Sequence, residues 1–166
     1  VVGEAIRRTL KIEVYDCQYF AAAVILDNRL AEMATGEGKT LAALLAAASG
    51  ALAGIPVHVL TANDYLVARD AERLAPVCAL LGLTVGAVTH DMQEKDRRLA
   101  YSRSITYVTA KELVFDYLRD GLRLGTRHSD LARRAHALER KTEPPLLRGL
   151  CMAVIDEADS LLIDEA

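Results

Sequence analysis

Apolar positions fall into two alternating patterns along the chain: short unbroken runs, and longer stretches where they recur at helical spacing. Val57-His-Val-Leu-Thr61, Leu83-Thr-Val-Gly-Ala-Val-Thr89, Ser104-Ile-Thr-Tyr-Val-Thr109 and Leu150-Cys-Met-Ala-Val-Ile155 are predicted strands, being rich in β-branched residues and bounded by turn signals. Leu30 to Met33 is expected to be a further, short buried strand. Between them the spacing predicts helices within Val2 to Phe20, over Leu41 to Ala53, from Tyr65 towards Leu81, over Gln93 to Tyr101 and over Lys111 to Asp120. Asn63 or Asp64 can cap the third of these, and Gly82 ends it. Within it Leu66, Asp70, Arg73, Leu74 and Val77 divide between a core face and a wet face. Strands alternating with helices at this spacing imply right-handed crossovers and a mostly parallel sheet covered on both faces, a three-layer α/β architecture.

The pattern changes between Gly121 and Gly149. Arg123, Arg127, Arg133, Arg134, Arg140, Lys141 and Arg148 outnumber Asp130, Glu139 and Glu143, while Leu131, Ala135 and Leu138 recur at helical spacing until Pro144-Pro145. Residues 121–149 are therefore expected to form a basic helical insertion between two strands, with a solvated face. Contact with anionic lipid is the second reading of those arginines.

At 166 residues, with 52% hydrophobic and 26% charged content, the chain suits a single domain with an ample core. A net charge of -3 argues against general binding to nucleic acid. Cys17, Cys78 and Cys151 show no C-x-x-C spacing and are expected as small core residues of a reducing compartment. The four histidines, His58, His90, His128 and His136, form no ligand pattern and are read as structural or surface residues. No run is long and apolar enough to span a bilayer. The last residues lie inside a continuing pattern, so the chain reads as part of a larger protein.

Candidate chemistry centres on Ala31-Glu-Met-Ala-Thr-Gly-Glu-Gly-Lys-Thr40, which runs straight into Leu41-Ala-Ala-Leu-Leu-Ala-Ala-Ala48. A glycine-rich turn feeding a strong helix former can turn its N–H groups onto a phosphate, at the positive end of the new helix. This is a P-loop pattern, with Met33 where the strict form has its first glycine. Thr35, Gly36, Glu37, Gly38, Lys39 and Thr40 are the expected phosphate contacts. Lys39 would bring a positive charge to the β- and γ-phosphates, and Thr40 would be a ligand of Mg²⁺. The architecture that follows is a RecA-like P-loop NTPase domain taking ATP or ADP.

Two further candidates fit that reading. The apolar run Leu150 to Ile155 delivers Asp156-Glu157 at its carboxyl end, the arrangement in which the first acid holds Mg²⁺, through water, and the second orients and deprotonates the attacking water. The alternative is a pair of acids capping a helix start. Upstream, Gln18 is a candidate for reading the adenine edge, since an amide offers one donor and one acceptor. The alternative there is a glutamine at a helix start.

These residues together resemble the first nucleotide-binding domain of the SecA family of protein-export ATPases. The most specific stretches are Asn63-Asp-Tyr-Leu-Val-Ala-Arg-Asp70, Phe115-Asp-Tyr-Leu-Arg-Asp120 and Val154 to Ala166, beside the glycine loop. The resemblance implies that Met33 is normal there, that Gln18 belongs to an adenine-reading motif with Tyr15 and Asp16, and that Lys39 and Glu157 are catalytic. It also implies a cytoplasmic protein on the inner face of the bacterial plasma membrane. Its partners would be the SecYEG channel, an unfolded preprotein and a second RecA-like domain of the same parent. Without that second domain, 166 residues would bind nucleotide with negligible turnover. Three departures mark a divergent member: Ala110, Lys111 and Val114 replace the family's asparagines and glycine, Glu13 and Val14 replace a basic residue ahead of Tyr15, and the 121–149 connection is long. A helicase-type nucleic-acid translocase of the same fold is the alternative.

Overall fold

The computed structural model describes residues 1–124 and 145–161. Four strands, β1 (Val57–Thr61), β2 (Val85–Val88), β3 (Ile105–Thr109) and β4 (Met152–Ile155), form one sheet in the order β2-β3-β1-β4. Every pairing is parallel, with Val57 opposite Ile105 and Met152, and Leu60 opposite Val108 and Ile155. The helices are α1 (Val2–Leu10), α2 (Asp16–Leu26), α3 (Lys39–Leu52), α4 (Asp64–Leu80), α5 (Glu94–Tyr101) and α6 (Ala110–Leu124).

The two-residue period of the strands sorts the core into two layers. Val57, Val59, Ile105, Tyr107 and Val154 pack against α1, α3 and α4. Leu60, Val88 and Val108 face Ala100, Tyr101 and Leu113 from α5 and α6, together with Leu146 and Leu147. On that second face a side chain at Gly86 would collide with the backbone of Ala100, so α5 lies directly on β2. α3 is buried along Leu41 to Ala48, because its alanines let the sheet on one side and α1 and α2 on the others approach closely. The three-layer RecA-like architecture expected from the sequence is the one observed.

The family-specific stretches prove to be structural ties. The Asn63 side chain accepts from the Leu66 N–H at 2.9 Å and caps α4, while Asp64 Oδ2 accepts from the His90 N–H at 2.9 Å and holds the loop after β2. In α6, Asp120 accepts both the Leu146 and the Leu147 N–H at 2.9 Å. Arg148 donates to the carbonyls of Tyr101 and Arg103, so the chain returning to β4 is fixed on both sides.

Three expectations are corrected. Leu30 to Met33 forms no strand; Leu30 is 80% exposed, and a run this short, interrupted by Glu32, buries too little apolar surface to hold a place in the sheet. Cys17 and Cys151 are exposed, and only Cys78 is in the core, where burial pushes its thiol up to about 11. α6 runs through Gly121 to Leu124; the rest of the predicted basic insertion, 125–144, lies outside the described residues, as do His128 and His136.

Candidate functional site

The glycine loop lies between α2 and α3, and its backbone is built for an anion. Gly36 and Gly38 take φ of 93° and 82°, a region open to glycine and strained for other residues. Gly38 is the N-cap of α3, which has no side-chain cap. Among the described residues, the N–H groups of Gly36, Gly38, Lys39 and Thr40 meet no hydrogen-bond acceptor. The loop is held open from within: Glu37 N–H donates to the Ala34 carbonyl at 3.3 Å, and the Glu37 carboxylate accepts from the Ala34 N–H at 2.8 Å. Thr35, Gly36, Glu37 and Lys39 are exposed, and Gly38 and Thr40 half-buried, so the free donors face outward at the positive end of a helix.

Gln18 lies in the first turn of α2, the alternative position weighed for it. It is 3% exposed, and both ends of its amide are already engaged. Oε1 accepts from the Tyr15 N–H at 3.1 Å and satisfies the backbone at the start of α2. Nε2 donates to the Glu37 carbonyl at 2.8 Å. A side chain at Gly38 would collide with that same nitrogen. Gln18 thus ties α2 to the loop, and in this arrangement it offers no free group to a base.

Asp156 and Glu157 leave the carboxyl end of β4 beside the end of β1, where the Asp156 N–H donates to the Leu60 carbonyl at 2.9 Å. Burial, followed by the negative charges of Glu157 and Asp70, raises the Asp156 carboxyl above its usual range, while the Lys39 ammonium pulls the other way. The carboxyl end of α3 lies against Val57 and Met152 at the starts of β1 and β4, so its first residue, Lys39, lies towards the other end of the sheet, where Asp156 follows β4. Glu157 takes φ of 59°, a left-handed conformation costly for a glutamate, which turns the chain abruptly where the acid pair stands.

Two neighbours escaped the sequence reading. Thr61, the last residue of β1, is 5% exposed with its hydroxyl unpartnered. Asp70 is 2% exposed and holds the Arg69 guanidinium at 2.8 Å. Thr61 was legible as a polar residue at the carboxyl end of a strand, where ligands of parallel sheets bind; Asp70 shares the inner side of α4 with Val67, Leu74 and Val77. Asp70, Asp156 and Glu157 thus gather three carboxylates near the Lys39 ammonium and the Arg69 guanidinium. No group of three or more His, Cys, Asp or Glu among the described residues could hold a metal alone.

The model of the SecA DEAD-like domain matches residues 1–166. The chain belongs to the SecA DEAD-like domain family. This SecA-like domain is 50% identical over 155 residues to the protein translocase subunit SecA 2 of Bordetella avium, covering 92% of the chain and 24% of that protein. It is 47% identical to SecA 2 of Nitrosospira multiformis, covering 100% of the chain and 25% of the relative. With SecA of Neisseria meningitidis it shares 48% identity over 166 residues, 16% of the relative's length. The chain thus spans a quarter or less of these relatives. Among solved structures, a hypothetical ATP-dependent RNA helicase from Sulfolobus tokodaii aligns with TM-score 0.59 and 16% identity, over 99% of this chain and 53% of that one. That likeness shows the RecA-like fold and nothing finer.

Proposed function

We propose that this domain is the ATP-binding part of a SecA-type protein translocase, in which nucleotide is held between the glycine loop and the acid pair. The observation that carries this reading is the set of free N–H groups at Gly36, Gly38, Lys39 and Thr40, on the same end of the sheet as Asp156 and Glu157. The loop amides and Lys39 bind the phosphates of ATP or ADP and stabilise charge that develops during transfer. Thr40 and Asp156 would hold Mg²⁺, which when bound supplies neutralising charge to the phosphate oxygens. Glu157 accepts the proton of the attacking water. Gln18 keeps the loop and α2 together and, if its tether opens, can reach an adenine edge.

In the whole protein the site is closed by a second RecA-like domain, and hydrolysis is coupled to movement of an unfolded preprotein through the SecYEG channel at the inner face of the plasma membrane. Residues 1–166 are one domain of that motor, binding nucleotide with negligible turnover alone. A thermal-shift titration of this chain with Mg-ADP, beside Lys39→Ala, tests the nucleotide half: a shift present in the parent and absent in the variant is expected, and equal responses would overturn it. For the transport half, ATPase activity of the whole protein should rise with unfolded preprotein and anionic lipid. A rise with RNA or DNA instead would favour the helicase-type alternative.

A further inference from the structure

α6 is amphipathic in the reverse sense to an ordinary surface helix. Glu112, Asp116 and Asp120, spaced four residues apart, point inward and are 7%, 0% and 6% exposed. Val114, Phe115, Leu118 and Leu122 point outward and are 54%, 52%, 53% and 85% exposed.

The inward acids fix that orientation. Glu112 bonds Arg97 at 2.6 Å and His90 at 3.1 Å. Asp116 takes Arg97 at 3.0 Å and the Tyr101 hydroxyl at 2.9 Å, and Asp120 takes two backbone N–H groups. Rolling the helix to bury its apolar stripe would strand three carboxylates away from their partners. The stripe is consequently held at the surface by the packing beneath it.

Charge follows the same division. The outward rim of α6 carries Lys111 and Arg119, the latter half-exposed and also paired with Asp116 at 3.2 Å, and beside it the exposed ring of His90. These residues, with Met92, Phe115 and the Arg97–Glu112 ion pair at the floor, line a cavity of about 210 Å³ adjoining the stripe. Lys111 to Leu122 spans about three helical turns.

We propose that this face of α6, with its adjoining cavity, docks an amphipathic polypeptide helix whose apolar side is flanked by carboxylates. Its apolar residues would cover Val114, Leu118 and Leu122, and an acidic side chain would enter the cavity between Lys111 and Arg119. A second copy of this face would bring like cations together. The chain's own 125–144 stretch, with five basic residues against three acidic, is mismatched in charge. A flat anionic bilayer would satisfy the cations and the stripe but leave the concave cavity unfilled.

Fluorescence anisotropy of the 166-residue chain with labelled designed helices tests this. One helix carries leucines at i, i+3, i+4, i+7 and i+11 flanked by glutamates; its twin carries lysines instead. Saturable binding of the glutamate helix below about 1 mM is expected. It should weaken about tenfold with Leu118→Ser and at least about threefold with Lys111→Glu. Both variants should keep the parent's circular dichroism and Mg-ADP shift. No saturation by about 1 mM, equal binding of the two helices, or indifference to both variants would overturn the proposal. Leu118-dependent binding to phosphatidylglycerol vesicles without binding of the glutamate helix, or Leu118-dependent self-association, would overturn it as well.

Discussion

The glycine loop and the seam between α5 and α6 are both crowded with charged and polar groups, yet they leave folding in opposite states. At the seam Arg97 is 4% exposed and every polar end of it is used: two carboxylates, and the carbonyls of Thr89, His90 and Met92 at 2.8 to 3.0 Å. Burial alone would raise the Glu112 carboxyl, but hydrogen bonds from His90 and Arg97, and their charges, hold it below its usual range. At the loop, four backbone donors and the Thr61 hydroxyl have no partner among the described residues. Buried polar groups that satisfy one another stabilise the fold; donors left open at a helix start await something from outside. Sequence specificity alone does not separate the two, since both regions carry family-marking residues.

The sharpest way to break this contrast is at the seam. Arg97→Met takes from Glu112 and Asp116 the buried guanidinium they share, leaving only the exposed His90 and Arg119 beside them, and should destabilise the chain by about 3 kcal/mol in urea unfolding. Nucleotide affinity of the folded molecules should be unchanged. A loss below about 1 kcal/mol would mean that the seam does not hold the two helices, and Asp116→Asn provides a milder second reading.

Lys39→Ala should do the reverse. Apo stability should move by no more than about 0.5 kcal/mol, while the gain from Mg-ADP at 100 times its Kd, about 2.7 kcal/mol in the parent, disappears. Equal destabilisation of the apo protein would make Lys39 a structural residue.

Gln18→Ala sits between the two regions and separates its two roles. Loss of the Tyr15 and Glu37 contacts should cost about 1 kcal/mol. If Gln18 acts as a tether, affinities for ADP and GDP fall together; if it reads adenine, ADP alone is weakened.

The smallest effect concerns His58, which packs edge-on against Tyr101 with ring centroids 5.9 Å apart. Burial, then the charge of Arg148, lowers its pKa below 6.5. The unfolded chain therefore binds the extra proton first as pH falls. Stability should decline as pH drops from about 6.5 towards the depressed folded value, with a slope no steeper than about 1.4 kcal/mol per pH unit. His58→Phe should flatten that part of the profile in pH-dependent unfolding, and an unchanged slope would remove His58 as its source.

Much of this was legible in the sequence, for identifiable reasons. The four observed strands and the helices between them follow from two periodicities that the sheet and its two covering layers reinforce. The glycine loop and the acid pair were visible because glycine and adjacent carboxylates at strand ends have few structural uses. Gln18 was visible as a residue but not as a tether, since a bond to the Glu37 carbonyl depends on how α2 meets the loop. Asp116 and Asp120 read as part of a family signature, and nothing local distinguishes an inward carboxylate from a solvated one. Their partners Arg97, Leu146 and Leu147 lie 19 to 27 residues away. Leu30 to Met33 misled because its composition suits a strand while its neighbours do not supply burial.

Paramagnetic broadening by Mn-ADP addresses the central claim most directly, because it reports which backbone amides lie near one metal-bound nucleotide. The amide resonances of Gly36, Gly38, Lys39 and Thr40 should broaden together with those of Asp156 and Glu157, while Leu118 and Leu122 on α6 stay sharp. Broadening confined to the loop, or to the acid pair alone, would contradict the single shared site.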